Sequence, residues 1–130
     1  MSIIYEEFRG GLIAHIAEFP DASPEECPKA VRRMNGADRS LVSIKENDLM
    51  ISIGGGDGAF VVTVETSRSI RNLLGSHPDP DEDDFIDITV GSQACEYPRC
   101  YAVGSESVES ALPQLLEKAD VDLHWEIVGK

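Results

Sequence analysis

The chain has 130 residues, 42% of them apolar, which suits one domain with a real core and argues against wholesale disorder. Its 24 acidic and 11 basic residues leave a formal charge of −13, which repels phosphate and argues against direct binding to nucleic acid. No run approaches the roughly 18–20 continuous apolar residues that span a bilayer, and the N-terminus MSIIYEEFRGG has acids where a signal peptide has a basic region, so a cytoplasmic protein is expected.

In chain order, IIYEEF and LIAHIAEF read as two strands joined at Arg9-Gly10-Gly11. Leu12, Ala14 and Ile16 alternate, with His15 on the opposite face; a short helix is the alternative there. Pro20-Asp21-Ala22 breaks the run. Ser23 is placed to cap a helix with Pro24 at its first position, Cys27, Ala30, Val31 and Met34 as its buried stripe, and Asn35-Gly36 as its end. Three strands follow: Leu41–Lys45, Leu49–Ile53 and Ala59–Glu65. Glu46-Asn47-Asp48 links the first two, and the run Gly54-Gly55-Gly56-Asp57-Gly58 the second and third, as in an antiparallel meander. Residues 67–75 are a helical turn or an edge strand. HPDPDEDD is a loop, Phe85–Val90 a strand, and 93–103 another strand or extended pair interrupted at Pro98.

The last quarter holds the clearest helix. Ser105 is placed as its N-cap, with Glu106 and Glu109 on the first turn. Val108, Ala111, Leu112, Leu115, Leu116 and Ala119 form one apolar face. Pro113 should kink or split the helix after Leu112. Leu123, Trp125 and Ile127 then alternate with His124 and Glu126, the period of a half-buried strand. The expected fold is a single α+β domain: an antiparallel sheet of five to seven strands with two main helices packed on it.

The chemical motifs are weak. The Gly54–Gly58 run lacks the Gly-Lys-Ser/Thr ending of a phosphate loop and precedes a strand, so it reads as a hairpin turn. Asp79, Asp81 and Asp83 have calcium-loop spacing, but Asp84 stands where that loop needs glycine and Val90 where it needs glutamate. His15, His77 and His124 are scattered, and Cys27, Cys95 and Cys100 lack a metal-ligand pairing, so neither a metal nor a cofactor is expected. No nucleophile elbow surrounds any serine. The chain reads as a binder rather than an enzyme; a small acidic ligand- or calcium-binding module is the alternative, and a hydrolase using Cys100 or His124 a remote third option.

From Phe85 onward the chain resembles immunity protein family one of bacterial polymorphic toxin systems. The likeness rests on FIDITV followed by Gly91, on Cys95-Glu96-Tyr97-Pro98, on the helix with its Leu-Leu pair, and on a terminal strand in which Glu126 follows Trp125. ISIGGGDGAFVVTVE matches that family's central strand pair, and the likeness covers about residues 41–128. It implies an α+β inhibitor without enzymatic activity that binds a cognate toxin, often a nucleic-acid deaminase or nuclease. The family-pattern positions are Glu96, Pro98, Trp125 and Glu126, with Trp125 expected in the core. A toxin that holds phosphates carries a basic surface, which a chain at −13 would meet by charge mimicry. The residues expected to meet it are Asp79, Asp81, Glu82, Asp83 and Asp84, with Asp57 a weaker candidate.

Overall fold

A computed structural model describes residues 1–10, 12–75, 85–116 and 125–129. Among them the architecture is α+β. Seven antiparallel strands lie in the order β2-β1-β3-β4-β5-β6-β9: β1 Ser2–Arg9, β2 Leu12–Phe19, β3 Leu41–Glu46, β4 Leu49–Gly55, β5 Phe60–Glu65, β6 Ile70–Leu73 and β9 Trp125–Gly129. A separate hairpin pairs β7 (Phe85–Val90) with β8 (Gln93–Pro98). The helices are α1 (Glu26–Arg32) and α2 (Ser105–Leu116), with a 3-10 turn at Arg99–Tyr101.

Register explains which face is buried. Ile3, Ile44, Ile51 and Val64 stand in one cross-strand row, and Val42, Ile53 and Val62 in the next. All seven are buried and cluster with Cys27, Ala30 and Val31 of α1 and Val108, Ala111, Leu112 and Leu115 of α2. Each of the Val, Ile and Leu side chains contributes about 1.5–3 kcal/mol on leaving water. This core outweighs surface contacts such as the Arg32–Glu109 ion pair at 2.6 Å between the helices, whose arginine is largely exposed.

Several local expectations are corrected. Ser23 does not cap α1: the helix begins at Glu26, and the Ser23 hydroxyl instead hydrogen-bonds the Glu25 carboxylate, holding it below the usual carboxylate range. A turn with Glu26 N–H donating to the Ser23 carbonyl leads into the helix, so Pro28 falls in its first turn, where a missing N–H costs little. Ser105 is the first residue of α2 rather than its cap, with the Gly104 carbonyl accepting from Val108. Pro113 does not split α2, which runs on to Leu116; the proline lies on the exposed side of the helix. Residues 67–75 contain the strand β6, and β9 pairs outside it, so it is not an edge. The alternation Leu12, Ala14, Ile16 is broken, because His15 pairs with Glu7 and Ile13 with Phe8, leaving Ala14 as a bulge. Leu12 therefore shares the helix-side face with His15, Ala17 and Phe19, and Ile13 shares the other with Ile16 and Glu18.

The β7–β8 hairpin packs on the sheet face opposite the helices. β4 extends through Gly54 and Gly55, so only the residues after them form the turn. A Cβ on Gly54 would stand 2.6 Å from Val90 Cγ2, and one on Gly56 2.6 Å from the Gly36 backbone nitrogen. The hairpin turn is also pinned through Ser40, which is fully buried and whose hydroxyl accepts from Ser92 N–H at 2.9 Å.

Gly54→Ala should therefore cost about 1–3 kcal/mol by overpacking, more than the roughly 0.4–1 kcal/mol gained from a stiffer unfolded chain. Urea denaturation of the single variants and of Gly54→Ala with Val90→Ala should show a smaller penalty for Gly54→Ala in the Val90→Ala background. Cys27 and Cys100 are buried, and burial pushes the Cys27 thiol up to about 11. In thiol labelling of the native protein, half-exposed Cys95 should react first, and the other two only on unfolding.

Candidate functional site

The outer face of the β7–β8 hairpin is built by simple alternation. Ile88 turns inward and is buried, while Phe85, Asp87 and Glu96 turn outward and are exposed. The register places Asp87 directly opposite Glu96, and Phe85 opposite Pro98. Two carboxylates in cross-strand register repel, so this surface is less stable alone than with a cation between them. The exposed ring of Phe85 stands at one end of the pair, 45% accessible.

Pro98 ends β8 and opens the 3-10 turn, which carries Tyr101 to the next strands. There Thr63, Asn72 and Glu126 lie in one row across β5, β6 and β9. The Thr63 hydroxyl donates to Asn72 Oδ1 at 2.7 Å; the Asn72 amide donates to the Tyr101 oxygen, and the Tyr101 hydroxyl donates to the Glu126 carboxylate. Burial is the first cause that raises the Tyr101 phenol above its ordinary value, and the bond to Glu126 adds to it. This chain ties β9 to the hairpin's exit and joins two family-pattern regions, Pro98 and Glu126. Glu96 stands apart on the outer face.

Trp125 lies on the other side of β9, opposite Leu73, where it is half-buried against the core rather than enclosed by it. The Arg71 guanidinium sits 4.9 Å from its ring centroid. Asp57 is exposed in the β4–β5 turn and packs beside Gly36, away from the Asp87–Glu96 pairing. Asp79, Asp81, Glu82, Asp83 and Asp84, with His77 and His124, lie outside the described residues. Among the described residues no three His, Cys, Asp or Glu side chains are grouped to hold a metal, and no helix is long and apolar enough to cross a membrane.

Two features were not singled out from sequence. Asp87 looked like an ordinary polar position, and only its register against Glu96 gives it meaning. The second is β2, an edge strand whose side chains Leu12, Ile13, Ile16 and Phe19 are all more than half exposed. Beside Phe19 a cleft of about 490 Å³ is lined by Ile3, Tyr5, Pro20, Glu26 and Arg33. Tyr5 meets Phe19 edge-on at 5.4 Å, and Arg33 lies 4.9 Å over the Tyr5 ring.

No protein-family model matches the chain, and no curated protein matches it.

Asp87→Asn and Glu96→Gln should each raise stability at low ionic strength, with the gain fading at high salt as the repulsion is screened. Chemical denaturation at two salt concentrations checks this. Tyr101→Phe removes the acceptor of Asn72 and the donor to Glu126, and should cost about 1 kcal/mol in the same assay.

Proposed function

We propose that the protein is an immunity protein, which binds a cognate toxin domain and blocks it by occupying a basic, nucleic-acid-handling surface. The observation that carries this reading is the opposed pair Asp87 and Glu96 on the exposed face of β7–β8, beside Phe85. A partner's lysine or arginine placed between the two carboxylates relieves a repulsion present in the free protein, and an exposed aromatic side chain supplies the apolar anchor of an interface. In sequence, the acidic stretch Asp79–Asp84 runs directly into Phe85 and adds charge of the same sign. A formal charge of −13 steers encounter with a basic protein, and its contribution falls as salt rises. The resemblance from Phe85 onward, with Glu96 and Pro98 on this hairpin, supports the same reading.

The test is the neighbouring reading frame. It should encode a secreted protein with a C-terminal toxin domain; expressing that domain should arrest growth, and co-expressing this chain should restore it. Purified toxin domain should lose its activity at stoichiometric ratio. Growth arrest that persists with the chain present would overturn the proposal.

Two charge variants locate the contact. Asp87→Asn with Glu96→Gln should slow association and flatten its salt dependence without loss of fold. Asp81→Asn, Glu82→Gln and Asp83→Asn together should slow association by about tenfold or more at low salt, through lost steering. Stopped-flow kinetics at two ionic strengths reads both effects.

A further inference from the structure

We propose that β2 is a self-association edge, and that two copies of the chain pair β2 against β2 around a two-fold axis at Ile16, joining their sheets. Among the described residues no strand pairs with its outer side, so its backbone edge ends the seven-stranded sheet. Proteins guard such edges with lysine, proline or inward-pointing charge. Leu12–Phe19 contains no lysine, arginine or proline and only one acid, Glu18, in a chain that is 27% charged. Exposed beside Ala14, His15 and Glu18 are four large apolar side chains, Leu12 at 75%, Ile13 at 53%, Ile16 at 54% and Phe19 at 51%.

The occupant follows from the register. Antiparallel pairing about a perpendicular two-fold sets one residue opposite itself. An axis through Glu18 opposes two carboxylates, and an axis through His15 opposes two imidazoles. An axis through Ile16 opposes two isoleucines. With Ala14 left out of the pairing, as it already is against β1, Ala17 meets His15 of the second copy, Glu18 meets Ile13 and Phe19 meets Leu12. Every pair then shares a face: Ile13, Ile16 and Glu18 lie on the hairpin side, and Leu12, His15, Ala17 and Phe19 on the helix side. No like charges oppose one another. The pairing also carries Leu12 of the second copy to the mouth of the cleft lined by Phe19 and Pro20. Arg9, the neighbour of Leu12 on β1, arrives at the end where Asp21 and Glu26 line that cleft. The whole molecules repel, so the apolar contact along β2 carries the pairing.

β9, the opposite edge, is a weaker candidate. It has five residues against eight, and of its side chains only Glu126, Ile127 and Val128 are exposed. Pairing β2 with β9 of another copy is a head-to-tail contact, which gives a ring or an open polymer rather than a two-fold dimer.

Because two chains at −13 repel at long range while the contact itself is apolar, salt should tighten the dimer, the reverse of its effect on a basic partner. Sedimentation of the purified chain over a micromolar to submillimolar range should show a monomer–dimer equilibrium, strengthened about tenfold or more from low to high salt. Ile16→Lys places two cations at the axis and should leave a monomer with an unchanged circular dichroism spectrum. Ile16→Cys should give a covalent dimer under mild oxidation, beyond any formed by the wild-type cysteines. A monomer at all concentrations in high salt, an open polymer, or a dimer indifferent to Ile16→Lys would overturn the proposal. The toxin-protection assay is independent of these results, so either reading can fail alone.

Discussion

The close approach of backbone and side chain at Gly54, Gly55 and Gly56 is the constraint on which the two-layer structure depends. Gly54 faces Val90, Gly55 lies near Ile88, and Gly56 abuts the backbone of residues 34–36. Gly55 and Gly56 also take positive φ angles of 104° and 134°, which side-chain-bearing residues rarely adopt. One strand end thus receives the second layer on one face and the exit of α1 at its tip. A side chain there would push β7–β8 off the sheet and shift the outer surface that carries Asp87 and Glu96.

Charge and apolar surface are sorted by element. The central strands are closed on the helix side by α1 and α2, and their rows hold aliphatic side chains. The acids are carried outward, on the hairpin, on α1 and in turns. The edge strand β2 has neither protection: no described element covers it, and it holds almost no charge. In the readings proposed above, an outward acidic face and an apolar edge with a single acid would answer to different partners. Charge acts at long range and is weakened by salt; apolar edge pairing acts on contact and is not.

The Thr63–Asn72–Tyr101–Glu126 chain shows how a remote terminus is brought to the hairpin. Glu126 is exposed, set opposite Asn72 by the β6–β9 pairing, and its carboxylate accepts from the Tyr101 hydroxyl. The residues concerned are separated by up to 63 positions in sequence (Thr63 to Glu126) yet sit on three adjacent strands and one turn.

The period-two runs Leu49–Ile53, Phe60–Val64 and Phe85–Val90, and the helical stripe Val108–Leu115, were legible in the sequence because local alternation of apolar and polar residues decides which face each segment buries. So were the α+β class and the breaks at the glycine run and at Gly91. Boundaries and caps were not: Ser23 and Ser105 have the right chemistry for an N-cap, but whether a hydroxyl reaches a helix amide depends on how the preceding chain enters. The bulge at Ala14 was hidden for a related reason, since LIAHIAEF alternates well on its own and only pairing with β1 reveals the extra residue. The opposition of Asp87 and Glu96 is a matter of register, and the exposure of Ile16 and Phe19 a matter of strand order. Composition determined that this chain would be strongly acidic, and its period-two runs that it would be rich in sheet; only the tertiary structure decided which apolar strand is left at the edge, because an edge is defined by the neighbours a strand lacks.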